Sequence, residues 1–261
     1  MHMLKRWLLG SMVVGVSLGA SAQAPIQAPS VDVATIKLSN PEERARAIGW
    51  EGRHFTAHYT TISQVVQFAF GLQERQIVGA PAWFDTETFD IDVQADRGEL
   101  SVAEWKIVLQ QLLVDRFRMS YHKVQKVMPA YILTVAKGGP KLQPPKDDPT
   151  LPPSVRIQRG PHQLLKVMGN RGSMAALAAE LQRVEMDRPV VDQTGLRGEF
   201  NFTLTATSVK PFFTGETPDP SEDAPPGLFT AIQEQLGLKL EPAKASVDCL
   251  MLDRVERPSA N

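Results

Sequence analysis

A chain of 261 residues with 28 basic and 29 acidic side chains carries a formal charge of −1. That balance gives no electrostatic case for nucleic acid or an anionic membrane as partner. The single cysteine, Cys249, excludes an intramolecular disulfide, and the length suffices for one large domain or two small ones.

The chain opens with Lys5 and Arg6, then an apolar run from Trp7 to Ala20, then small residues. The run is shorter than the ~20 residues a membrane span requires. Residues 1–22 therefore read as a Sec-type signal peptide, cleaved after Ala22 or Ala24. Export to the periplasm or medium follows, with no membrane span after cleavage. Losing Lys5 and Arg6 takes the formal charge from −1 to −3. Residues 23–30, rich in Pro, Gln and Ala, read as a flexible leader.

Val31 to Lys37 alternates as a strand does, and the charged stretch after Asn40-Pro41 stays unassigned. Arg53 to Tyr59 is expected as a strand. Thr61 and Gln64 form a capping box for a helix that buries Ile62, Val65, Val66 and Ala69 and ends at Gly71. A short strand begins at Gln76 and breaks at Gly79-Ala80-Pro81. Phe89, Ile91 and Val93 alternate with Asp90, Asp92 and Gln94, the pattern of a strand with one wet face.

Ala103 to Phe117 carries an apolar helical stripe through Trp105, Val108, Leu109 and Leu112. Two strands, Arg118 to Val124 and Ala130 to Ala136, are expected after it as a hairpin. Residues 138–161 are rich in Pro, Gly and charge and read as a linker. A strand over Gln163 to Met168 and a helix capped by Ser173 follow.

That helix begins a repeat. Ile62, Val65 and Ala69 correspond to Met174, Leu177 and Leu181, and Val78 falls on Val190. Phe89, Ile91 and Val93 fall on Phe200, Phe202 and Leu204. Leu109 to Ala136 aligns without a gap on Leu228 to Val255, apolar positions matching at Leu109, Leu113, Phe117, Met119, Tyr121, Met128 and Leu133. The extra residues of the second half fall in the loop Lys210 to Pro226. The expected fold is α+β: two tandem related lobes, 31–137 and 162–261, each β-α-β-β-α-β-β with helices packed on a mixed or antiparallel sheet.

Five stretches carry a family likeness: GAPAWFDTETFDI (79–91), LLVDRFRMSYH (112–122), PAYILTVAKGGPKL (129–142), RPVVDQTGLRGEFNF (188–202) and the closing segment 228–259. In these the chain resembles the soil-associated secreted protein family, a bacterial domain of unknown function, over nearly all of 31–259. Members of that family typically carry signal peptides, and related domains occur beside antirepressor-type membrane metallopeptidases. The resemblance implies an exported domain. It supplies no reaction and no catalytic residues.

Each candidate for chemistry has a plainer reading. His54 and His58, four apart on a strand, have Cα atoms about 13 Å apart, too far to share one zinc. Asp85, Glu87, Asp90 and Asp92 could serve acid–base hydrolysis or bind calcium. Asp90 and Asp92, however, take the polar phase of a strand, and their counterparts are Asn201 and Thr203. Cys249 falls on Ala130 and reads as a small buried filler. No serine elbow, phosphate loop or HExxH motif occurs. Arg116, beside Asp115, is expected to fix the helix-to-strand corner through a carboxylate or the last helix carbonyls. Trp83 and Phe84 read either as an exposed binding pair or as a core plug.

No metal or cofactor site is expected. The function read from the sequence is an exported, non-catalytic binding or interaction module with a protein or glycan partner in the envelope or medium. The alternative is an extracellular polymer hydrolase using Asp85 to Asp92 in an inter-lobe cleft.

Overall fold

The structure is a computed structural model that describes residues 28–43, 45–145, 152–210, 221 and 224–258. The signal-peptide reading, most of the leader, the middle of the 138–161 linker and most of the 210–226 loop lie outside those residues. In chain order the elements begin with β1 (Val31–Leu38), β2 (Ala47–Glu51), β3 (His54–Thr61), α1 (Ile62–Phe70) and β4 (Ile77–Val78). Then come α2 (Trp83–Thr86), β5 (Thr88–Ala95), α3 (Val102–Phe117) and β6 (Ser120–Val135). The second half comprises β7 (Ser154–Arg159), β8 (Leu164–Gly172), α4 (Met174–Val184), β9 (Val190–Asp192), β10 (Phe200–Thr207), α5 (Leu228–Leu236) and β11 (Leu238–Arg254). The class is α+β, as expected from the sequence.

Three sheets organise these strands, in the orders β1-β5-β3-β2, β10-β8-β7 and β4-β11-β6-β9. The first sheet packs against α1 and α3 around Phe55, Ile91, Trp105, Leu109 and Phe117. The second packs against α4 and α5 around Leu165, Val167, Leu177, Leu204 and Ile232. Local signals place the helices: Thr61 and Gln64 form the reciprocal capping box, and Gly71 ends α1 in the left-handed region. Ser173 caps α4 at the Ala176 amide.

The expected hairpin over 118–136 does not form. β6 is one unbroken 16-residue strand, paired antiparallel with the 17-residue β11. Nothing between Gln125 and Pro129 offers turn chemistry, and Pro129 does not break the ladder. The Tyr131 amide points away from β11, to the Pro189 carbonyl, so Pro129, two residues earlier, also faces the open edge. Two further expectations change. Ala47–Glu51, left unassigned, pairs with β3, and the linker contains β7 and a bridge from Gln143 to Asn201.

The closing strands exchange lobes. Leu250 and Leu252, near the chain's end, pack in the core of the first lobe. Leu133 and Val135, from the first half, pack in the second. β4 adds in parallel to Leu250–Met251, and β9 adds in parallel to Tyr131–Leu133. The arrangement has a pseudo-twofold axis at Val127 and Ser246, which are repeat equivalents and pair directly with each other. The same ladders set Ile77, rather than Val78, in the place of Val190.

The duplication extends to backbone geometry. Tyr59 and Arg171 both have positive φ, +48° and +51°, in a bulge two residues before the helix caps Thr61 and Ser173. Arg118 and Gly237, which end α3 and α5, are both left-handed as well.

Candidate functional site

The helices α1 and α4 end facing each other where the lobes meet. Gly71 turns the chain out of α1 into a single 3-10 turn over Glu74–Gln76. Three glutamines then tie the lobes together. Gln182 on α4 donates to the Gly71 carbonyl (3.0 Å) and to Gln76 Oε1 (3.2 Å), and accepts from the Val190 amide (3.0 Å). Gln73 donates to the carbonyls of Gln182 and Met186, and Gln76 donates to the Asp248 carbonyl. Gln76 and Gln182 are buried, so the bond between them and the Val190–Gln182 bond are shielded from water.

Beside this network lies an inter-lobe cleft of about 520 Å³. Its walls include Gln67, Phe68, Leu72, Glu74, Arg75, Arg183, Met186, Asp187 and Lys210. Arg183 is paired with Glu180 at 2.6 Å, Asp187 with Arg188 at 3.3 Å, and Lys210 Nζ donates to the Met186 carbonyl at 2.8 Å. Lys106 reaches toward Gly71 from α3, and burial holds its ammonium below the ordinary lysine value, Glu180 opposing and Arg183 adding to that effect. The sequence offered one hint of this site, the Gln73-x-x-Gln76 spacing. The rest arises only when the lobes pack.

None of the residues the sequence offered as candidates for chemistry or binding lines this cleft. Asp85 and Asp92 are exposed, Asp92 on the outer face of the first sheet. Glu87 is held by a bidentate ion pair with Arg257, whose hydrogen bond, opposed by burial and aided by its charge, keeps the carboxyl below the usual glutamate value.

Asp90 is mostly buried and accepts from the Tyr59 amide (3.0 Å) and the Ser39 hydroxyl (2.8 Å). Burial works to raise its pKa. The Tyr59 amide and Ser39 hydroxyl, with the charges of Lys37 and His58, outweigh burial and leave the pKa lowered.

Phe84 is fully buried in the first core, while Trp83 is half-buried under the Arg257 guanidinium, 5.2 Å from its ring centre. His54 and His58 stand on the same outer sheet face as Asp92. Among the described residues no group of three or more His, Cys, Asp or Glu is placed to hold a metal. Cys249 is buried, and burial raises its thiol, the opposite of what a nucleophile needs. Among the described residues, Arg116 bonds neither a carboxylate nor the end of its own helix; it donates to the Ala34 carbonyl on β1 at 2.7 Å.

Compared with known proteins, residues 63–255 match a family described as "Protein of unknown function (DUF3738)". No curated protein and no solved structure matches.

Proposed function

The chain belongs to this DUF3738 family, and from its own geometry we propose that it is a non-catalytic binding protein whose ligand occupies the inter-lobe cleft. The observation that carries this reading is the position of the cleft, at a hydrogen-bonded junction between two duplicated lobes, where ligand sites tend to form. The continuous β6–β11 ladder and the glutamine bonds pre-form the cleft, which lowers the ordering cost of binding.

The hydrolase alternative draws no support from Asp85, Glu87, Asp90 and Asp92. They lie apart from the cleft, and two of them are engaged in structural contacts. No described helix is long and apolar enough to cross a membrane. The charged-then-apolar start of the chain supports export to the periplasm or medium, in keeping with a secreted, soil-associated lineage.

Two measurements test the proposal. Residues 1–30 fused to a reporter active only outside the cytoplasm are expected to give signal, and a silent fusion rejects export. Mature protein is expected to capture an envelope or medium component that Gln67→Trp, which fills the cleft, does not capture. Equal capture by both proteins moves the site elsewhere.

A further inference from the structure

Building on the cleft as ligand site, we infer that its ligand is an uncharged oligosaccharide. Sugar rings are recognised by an aromatic face laid against their C–H groups, together with polar side chains that fork to neighbouring hydroxyls. The cleft has both. Phe68 lines it, and Trp50 on β2 packs beside Phe68 with ring centres 5.4 Å apart and planes tilted by 40°. Trp50 keeps 41% of its surface exposed, far more than an ordinary indole buried in a core. Among the described residues, the other partly exposed indole, Trp83, is already covered by Arg257. Trp50 therefore leaves an open indole surface beside the Phe68 wall of the cleft.

The polar groups fit the same chemistry. Gln67 commits its Nε2 to Ser63, leaving its carbonyl oxygen for a hydroxyl donor. Among the described residues, Glu74 and Arg75 hold no side-chain partner, and they offer an acceptor and a forked donor side by side. Charge argues against a polyanion. Arg183 is matched by Glu180, Asp187 by Arg188, and Lys210 sits on the carbonyl that follows α4. Arg75, Arg183 and Lys210 are interleaved with Glu74, Glu180 and Asp187, so a polyanion finds no single-signed patch, whereas a neutral polyol loses nothing to the mixed signs.

The experiment titrates the exported protein with soluble hexasaccharides of glucose, xylose and N-acetylglucosamine. Oligogalacturonate provides an anionic arm and a mixed peptide pool a protein-like arm. Tryptophan fluorescence reports binding, and hydrogen exchange locates it. The inference expects one neutral hexasaccharide to bind and to protect residues 67–75 and 182–187. Trp50→Ala is expected to weaken it about tenfold, Trp50→Phe less, and Trp83→Phe not at all. Oligogalacturonate or peptide protecting the same residues would keep the cleft and overturn the sugar. A neutral sugar protecting a different surface, or no probe protecting the cleft, would overturn both. Unfolding curves for Trp50→Phe check that lost binding is not lost fold.

Discussion

Asp90 and Asn201 perform one structural task in the two lobes. Asp90 Oδ1 accepts the Tyr59 amide at 3.0 Å, and Asn201 Oδ1 accepts the Arg171 amide at 2.8 Å. Both amides belong to left-handed bulge residues just before a helix cap. A carboxylate that looked like a catalytic candidate is thus a bulge lock, and an amide does the same work in the copy.

Asp90→Asn is accordingly expected to fold normally, while Asp90→Ala loses about 1 kcal/mol by leaving the part-buried Tyr59 amide unpaired. The lowered carboxyl pKa of Asp90 fixes the sign of the pH effect. Its contribution is complete above the unfolded value of about 4 and is lost as pH falls through the lower folded value. Urea melts of wild type and Asp90→Asn between pH 7 and pH 2 check this. The gap between the two curves should change only in the acid limb, and a change between pH 5 and 7 would point to another group.

The strand exchange makes a prediction that two independent lobes would reverse. Leu252→Ala is expected to cost about 2–5 kcal/mol and to speed hydrogen exchange in α1 and α3, because Leu252 packs in the first core. Leu133→Ala should act on α4 and α5 in the same way. If each substitution instead loosened the helices of its own half, the exchange would be wrong.

Arg118 sits in the left-handed region, φ +51°, where its repeat equivalent is Gly237 at +63°. Arg118→Gly is expected to stabilise by about 1 kcal/mol by removing that strain. Gly237→Ala should destabilise, since its new Cβ would strike the Gly139 carbonyl. Thermal melts of the two variants should shift in opposite directions.

In the second lobe, Gln235 supplies what β1 supplies in the first. Its side chain accepts from the Thr205 amide (2.9 Å) and donates to the Thr205 carbonyl (2.8 Å) on the outer edge of β10, between the Gln143–Asn201 and Gly227–Thr207 bridges. Its repeat equivalent, Arg116, reaches the Ala34 carbonyl on β1 instead. Gln235→Leu is expected to cost about 1–3 kcal/mol and to bare an edge prone to pairing. Light scattering should show association of this variant, and a strictly monomeric Gln235→Leu would deny the capping role.

By itself the sequence determined what is local and periodic. The Thr61–Gln64 and Ser173 caps, the stripe on α3 and the alternation of Phe89, Ile91 and Val93 are set by contacts a few residues apart. The duplication was legible for the same reason, since both copies keep their apolar phase. The tertiary structure alone decided that β6 and β11 run straight and end in each other's lobe. An apolar strand end reads the same whichever core receives it, and only pairing at Val127 and Ser246 selects between them. It also decided that Gln73, Gln76 and Gln182 join the lobes beside the cleft, because hydrogen bonds between residues more than a hundred positions apart leave no periodic trace in the chain.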